Sequence, residues 1–528
     1  MAKSFLMGAE VEYSMSCPAA QTRGRRKGLY VQLLEAVKAE HQWLPDLRSS
    51  KGVYIDNGSR YYLDSGNHNE LSSPELQTPR EIAVYDRAGE VILRRAKQRV
   101  KQIKQIDICI TKNNVNFSMP DRAAWGQHEA YTCWVPLEQA AVQLIPHLVS
   151  RIPYAGAGCL SSHPHGEGYE LSQRARHMTR PVGLETTHNR AIFCTRAWKP
   201  SDTSSAGWTR TNLISKDSQR CSFGMYLTYG VTSLLMMIVN EGHQLGRDVR
   251  LKDPVRAMRM FSVDPALKKQ VQLENGKWAT ALDIQRAYFN EARPHVERGE
   301  FPEWTLEVLE HWAETIDVLA TDPRLLSDRL DTYLKHAIFE RQLARAGMSW
   351  QALRKALQTI DQLRGTVPET IVQAIIQGND EQFKGEAKSL RDKAMQQHKL
   401  QPVDIEHLQV AVRLQALELN YHELGGLFDQ MLDAGLVDSV VVTPEEVEQA
   451  VHHGPPSGRA SARGKAIKRL HGQPWAVDWQ YFLNREDGKW IDLRDPFARH
   501  GRLRTKTSSF PEEACLPELE DVALRIAE

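Results

Sequence analysis

One stretch constrains this chain more than any other: Asn57-Gly-Ser-Arg-Tyr-Tyr-Leu-Asp64-Ser-Gly-Asn-His68-Asn-Glu70-Leu-Ser-Ser-Pro-Glu75. Asn-Gly between strand-forming residues is a strong hairpin signal, because the favoured two-residue turns need a left-handed backbone. It launches a short strand, Ser59 to Leu63. Side chains alternate along a strand, so Arg60, Tyr62 and Asp64 share one face. The looser segment that follows, with its Gly and Pro, is read as a loop carrying His68, Glu70 and Glu75. A strand face and its loop thus deliver a cation, a phenol and three carboxylates. Burying such a set for structure alone is costly. Around a metal-bound phosphate the same set is useful.

Size and charge narrow the classes. The 528 residues carry 67 Lys and Arg against 66 Asp and Glu, a formal net charge of +1. That length suits two to four domains, or one large enzymatic domain with an appendage. The balance of charge gives no argument for a nucleic acid or a membrane surface, and neither partner is expected. Seven cysteines (17, 109, 133, 159, 194, 221 and 515) are scattered without a Cys-x-x-Cys pair. They are read as reduced thiols in a cytoplasmic protein rather than a disulfide framework or zinc ribbon. The N-terminus has no signal-peptide apolar run. The most apolar stretch, Met225 to Val239, is interrupted by Thr228, Tyr229, Gly230, Thr232 and Ser233, and is predicted to be a buried core helix rather than a membrane span.

Along the chain, Phe5 to Tyr13 is a strand candidate with Glu10 and Glu12 on one face. Such a pair suits either a solvated edge or a cavity inside the fold. Residues 79–104 form an amphipathic helix pattern, and Ile106 to Thr111 a strand. In Gln127-His128-Glu129 two neighbouring polar residues face opposite ways on a strand, so only one can enter a site. Ala155-Gly-Ala-Gly158 is a phosphate-loop candidate without the Gly-Lys-Ser/Thr ending. Two further strands carry Arg196 and Arg210. Arginines so placed can clamp phosphate oxygens bidentately or form rim salt bridges. From Met225 the pattern is helical, with helices over Ala281–Ala292, Glu303–Ala320, Arg324–Ala346, Ser349–Leu363 and Ile405–Ala434. Residues 364–402 are predicted to be a mobile helical insertion. A smaller C-terminal domain is placed at 436–528, containing Trp475-Ala-Val-Asp-Trp479.

Taken together, these residues resemble the family of the Pup ligase and the Pup deamidase/depupylase. The resemblance is carried by Gly8-Ala-Glu-Val-Glu-Tyr13, Asn57 to Asp64, His68-Asn-Glu70, Tyr85-Asp-Arg-Ala-Gly-Glu90 and Lys112-Asn-Asn114. It continues through Gly126-Gln-His-Glu129, Leu171-Ser-Gln-Arg174, Val182-Gly-Leu-Glu-Thr-Thr187, Thr195-Arg196, Ala281 to Arg286, Val477-Asp-Trp479 and Asp495-Pro-Phe497. It implies an α+β fold: a glutamine synthetase-like antiparallel sheet packed with helices over residues 1–435. The small domain at 436–528 would contribute to the nucleotide site. It implies Mg²⁺ contacts from Glu10, Tyr62 and Glu70, with Glu12 and Glu75 as further acidic lining of the metal site. ATP contacts would come from Arg60, Ser73 and Trp479, and Asp64 would be the catalytic carboxylate. The partners would be a small Pup-like protein modifier and lysine-bearing target proteins.

The same resemblance leaves two activities. A ligase would phosphorylate a glutamate side chain of the modifier with ATP and join it to a lysine amine. A deamidase/depupylase would hydrolyse the side-chain amide or isopeptide bond. The depupylase type carries a long insertion between the first strand and the Asn-Gly-x-Arg motif. Here only residues 14–56 lie between Tyr13 and Asn57, which favours the ligase. Glu10-Val-Glu-Tyr13 and Val182 to Thr187 are closer to the deamidase. The chain departs from the family pattern at Asn212, where a histidine is usual, at Ala130 in place of Asn, and at Asn69 in place of Pro. A third possibility, a catalytically silent nucleotide-binding homologue, follows from these departures.

Overall fold

Alternation along β1 (Met7–Ser16) sets the layering. Met7, Ala9, Val11, Tyr13 and Met15 are buried, while Gly8, Glu10, Glu12 and Ser14 are half-buried. One strand therefore separates an apolar sheet face from a polar one. The computed structural model describes residues 3–17, 25–64, 66–117, 124–164, 166–198, 207–377, 385–437, 441–497 and 505–506, with the backbone alone at 25–27, 196–198 and 505–506.

The remaining strands are β2 (Trp43–Pro45), β3 (Gly52–Ile55), β4 (Arg60–Leu63), β5 (Asn69–Ser72), β6 (Cys109–Thr111), β7 (Gln127–Cys133), the short pair β8 (Cys159–Leu160) and β9 (Tyr169–Glu170), β10 (Arg180–Gly183), β11 (Ala191–Trp198) and β12 (Thr209–Leu213). The main sheet runs β10-β11-β12-β7-β1-β5-β4-β3-β2, with β6 paired to the end of β1. Its pairs are antiparallel except β10 with β11. The loop expected after β4 is in fact β5. A reversal through Asn67, whose φ is 62°, folds the chain back so that Tyr62 lies opposite Glu70 and Arg60 opposite Ser72.

The apolar face is covered by helices α1 (Arg25–Glu40), α2 (Pro79–Lys104), α3 (Leu137–Ser150), the single turn α4 (Ile152–Ala155) and α5 (Ser222–Asn240). Helix α2 starts where the sequence indicates, with Thr78 accepting from Glu81 N at 3.1 Å, a reciprocal Glu81 cap and Pro79 in the first turn. Helix α5 is long and apolar enough to cross a membrane by composition, but 94% of its apolar window is buried inside the protein. It is the central core helix.

Helices Asp331–Arg345, Trp350–Thr366, Glu369–Gln377, Glu386–Gln397 and Pro402–His422 build a second core of their own. Two of the expected long helices are interrupted. Asp331 accepts from Arg220 N and Cys221 N, both at 3.0 Å, which starts a fresh helix there. Gly425, at φ 85°, ends the other, and Leu427–Asp433 follows as a separate helix. The second core is pinned to the first by Lys335, wholly buried, which donates to Gly158 O at 2.6 Å, Glu418 at 3.0 Å and His422 Nε2 at 3.0 Å. After residue 440, Val441, Val442, Val447 and Val451 join the main core. Strands Trp475–Val477, Tyr481–Asn484 and Trp490–Asp492 share a third core with Leu44 of β2 and Tyr54 of β3.

Candidate active site

The polar sheet face collects the carboxylates of β1 and β5. Register places Glu10 opposite Ser72 on one side and His128 on the other, and Glu12 opposite Glu70. Tyr62 donates a short hydrogen bond to Glu10 Oε1, and Ser72 Oγ donates to the same oxygen at 3.1 Å. His128 Nδ1 is 3.3 Å from Glu10 Oε2, and its Nε2 is 3.6 Å from Glu12 Oε1. Glu129 faces the other way and is wholly buried against Arg151, at 2.8 Å. Of the two neighbours it is therefore His128 that enters the site.

The two central carboxylates are pushed in opposite directions. Burial would raise both. At Glu10 the His128 hydrogen bond and charge, Arg210 and Tyr62 outweigh it and hold the carboxyl well below the usual range. At Glu70, burial together with the charges of Glu10 and Glu12 pushes the carboxyl well up. Glu10, Glu70 and His128 offer ligand atoms within 4.8 Å of one another, and so do Glu12, Asp64 and His68. A buried carboxylate crowded by two more is unfavourable unless a cation joins it. Two carboxylates and a phenol are hard oxygen donors of the kind Mg²⁺ takes, so the residues present fit that ion.

Asp64 closes the reversal between β4 and β5. Its Oδ1 accepts from His68 N at 2.6 Å, and its Oδ2 is 3.4 Å from His68 Nδ1. The His68 ring stacks on Trp125 with centroids 5.2 Å apart. A Cβ on Gly66 would stand 2.9 Å from His68 Nδ1 and 3.0 Å from Asp64 Oδ2, so a larger residue there would press on both side chains. Gly126 N donates to Glu12 Oε2 at 2.8 Å.

The residues expected around the nucleotide fall into two groups. Arg60 lies on the site face, its guanidinium 3.8 Å from the Tyr62 ring centroid, with Nε held by buried Asp46 at 2.7 Å. Arg210 is close enough to lower Glu10. Trp479 is half-buried, packs edge-on against Tyr54 at 5.1 Å and carries the Arg463 guanidinium at 4.6 Å. Two other expected residues have partners within the protein. Ser73 Oγ accepts from Ala9 N at 3.0 Å and donates to Pro74 O at 2.9 Å. Glu75, expected in the metal lining, is instead gripped by Arg459 and Arg463, each at 2.6 Å. Those arginines, after the penalty of burial, hold its carboxyl below the usual range. Arg196 belongs to β11, and its side chain lies outside the described residues.

The family follows from comparison with known proteins. The model of the Pup-ligase protein family matches residues 5–364 and 387–483. The chain belongs to the Pup-ligase family. A Pup–protein ligase of Acidimicrobium ferrooxidans is 30% identical over 509 residues, covering 93% of this chain and 96% of the relative. A depupylase of Acidothermus cellulolyticus is also 30% identical, over 438 residues, with 81% and 74% covered. The fold matches the crystal structure of the complex between Pup and its ligase PafA with a TM-score of 0.72 at 22% identity, covering 94% of this chain and 89% of that one.

Within the Pup-ligase family frame, several motifs prove to be core rather than site. Lys112 is wholly buried, bonded to Asp86 and, at 2.9 Å, to Glu90; Arg87 and Arg220 complete the network. The Ala155–Gly158 loop offers its Ala157 amide to the Asp217 carboxylate at 2.8 Å rather than to a phosphate. Asn212, where the resemblance leads one to expect a histidine, lies opposite Ala130 of β7, on the same face as His128. It is 5% exposed and its Oδ1 has no hydrogen-bond partner among the described residues, which leaves an oxygen donor facing the polar layer. Local sequence pattern missed Ser72, His128 as a bridge between Glu10 and Glu12, and the Arg463 cover on Trp479. Only strand pairing and the return of the C-terminal helix bring them in.

Proposed function

We propose that this chain is an ATP- and Mg²⁺-dependent ligase that joins a glutamate side-chain carboxylate of a small Pup-like modifier to a lysine amine of target proteins through an acyl phosphate. The observation that carries this reading is the acidic face, where Glu10, Glu70 and His128 offer ligand atoms within 4.8 Å of one another and burial, with the charges of Glu10 and Glu12, drives Glu70 up. Glu10, Tyr62 and Glu70 would hold Mg²⁺, with Glu12 beside them and Asn212 able to lend an oxygen. Bound there, the ion would neutralise phosphoryl charge during transfer. Arg60 is fixed in position by Asp46 and Tyr62, and with Arg210 and Arg196 it would meet phosphate oxygens. Trp479 offers an aromatic face to the adenine. Asp64 would accept the proton of the incoming lysine ammonium, its own orientation set by His68 N. The free thiols of the described cysteines suit a cytoplasmic location.

The ligase branch is favoured by length: the chain covers 96% of the Acidimicrobium ligase but 74% of the Acidothermus depupylase. The equal 30% identity to that depupylase keeps a second reading, hydrolysis of the same bond. The two separate on ATP stoichiometry. With modifier and lysine substrate, a ligase forms one ADP per isopeptide. Cleavage of a preformed conjugate without ADP formation would replace the ligase reading by the hydrolase.

A further inference from the structure

A second cluster of metal-ligating side chains lies beside the Asn57-Gly58 turn, made of residues other than those of the acidic face. His41 follows the end of α1, Asp56 ends the approach to the turn, and His452 closes the helix Pro444–His452. His41 Nδ1 is 2.8 Å from Asp56 Oδ1, and His452 Nδ1 is 3.7 Å from Asp56 Oδ2. The two imidazoles face each other with centroids 4.8 Å apart and an interplanar angle of 32°. One ligand atom from each residue falls within 4.8 Å of the others. Adjacent ligands of a tetrahedral zinc ion stand about 3.3 Å apart, given ligand bonds of about 2.0–2.1 Å. The observed spacings bracket that value.

Chemistry and support agree with geometry. Asp56 is 5% exposed, yet the ion-pair partners that face it are imidazoles, not lysine or arginine. Two histidines and a carboxylate form a borderline donor set that suits Zn²⁺ better than Mg²⁺. His41 and Asp56 are buried, while the His452 side chain is 39% exposed, leaving an approach for the ion and a water as fourth ligand. The scaffold is tied together at this point: Asn57 Nδ2 donates to Ala450 O at 2.9 Å, and a Cβ on Gly464 would stand 2.7 Å from Asp56 O.

We infer that His41, Asp56 and His452 form a site for a transition-metal dication such as Zn²⁺. The ion fastens the C-terminal helices to the turn that aims Arg60, Tyr62 and Asp64. The site is independent of the catalytic reading and lies outside the residues proposed to hold Mg²⁺.

The test uses the full chain, stripped with chelator and titrated with Co²⁺ as the spectroscopic probe, then with Zn²⁺ in competition. Glu10→Gln/Glu70→Gln protein serves as background to silence the acidic face. One equivalent should produce the intense visible bands of four-coordinate Co²⁺, displaced by Zn²⁺. His452→Ala, at a half-exposed helix end, should weaken Zn²⁺ binding by about tenfold or more. His452→Cys, which keeps a ligand, should retain the band and shift it through the new thiolate. Unchanged binding in His452→Ala, or no saturable Co²⁺ band in the parent, would overturn the proposal and leave a His-Asp-His hydrogen-bonded cluster.

Discussion

Two carboxyls, Glu70 and Asp64, set the chemistry of the acidic face. Glu70 has its folded-state proton affinity raised, so the stability it contributes is present at low pH and declines as pH rises above the ordinary carboxylate value, near 4.5. Without a cation, Glu70→Gln should therefore raise the Tm at pH 8 relative to the parent and flatten the parent's loss between about pH 5 and pH 8. Added Mg²⁺ should raise the parent's Tm more at pH 8 than at pH 5, and much less in the variant. Thermal melts at both pH values decide this; a metal-free variant several degrees below the parent would contradict it. Asp64 makes a different test. Asp64→Asn keeps the size and can still accept from His68 N, but it cannot take a proton from an amine. The rate of conjugation should fall by about 10²–10⁴ while nucleotide affinity changes little. Equal losses in nucleotide binding and rate would assign Asp64 to the binding of ATP instead.

At the element scale the decisive joint is between the end of β5 and the helix Gly458–Leu470. Arg463 is wholly buried, spans to Glu75 at 2.6 Å, and covers Trp479 at 4.6 Å. Because the Glu75 carboxyl is held low, its stabilisation is fully present above the ordinary carboxylate value and is lost as pH falls through and below it. Glu75→Gln should cost about 3 kcal/mol at pH 7 in urea denaturation and weaken nucleotide binding. The stability gap to the parent should narrow as pH drops below about 4. A variant that keeps full stability but loses Mg²⁺ would return Glu75 to the metal lining. The same joint marks the reach of local pattern. Period-two and period-3.6 alternation were enough for β1, α2 and the buried character of α5, because each is set by its own side chains. The reading of β5 as loop failed because Gly66 and Asn67 look like loop residues, while the strand is stabilised by partners on β1 and β4. The resemblance implies roles for Ser73 and Glu75 in the site, and local pattern does not show the partners they meet in space, Ala9 N for Ser73 and Arg459 and Arg463 for Glu75.

At the scale of the whole molecule, one sheet divides the labour. Its apolar face is closed by α2, α3 and α5, with buried ion networks at Lys112 and Lys335 tying the helical half to the strands. Its other face concentrates Glu10, Glu12, Tyr62, Glu70 and His128, flanked by Arg60 and Arg210. The α+β class and the acidic centre were legible in the sequence because their motifs are local and ordered along the chain. The opposite wall was less so: Asn212 reaches the face only through the pairing of β12 with β7. The arrangement suits the proposed ligase reaction, in which ATP is spent on a carboxylate before an amine arrives. The most direct test incubates the full chain with Mg²⁺, ATP, a Pup-like modifier ending in glutamate and a lysine-bearing protein. Isopeptide is followed by intact mass and ADP by coupled assay. The expected product is a conjugate one water lighter than the sum of its parts, with ADP formed one for one and both lost in Asp64→Asn. No conjugate, or release of modifier from a preformed conjugate with no ADP, would contradict it.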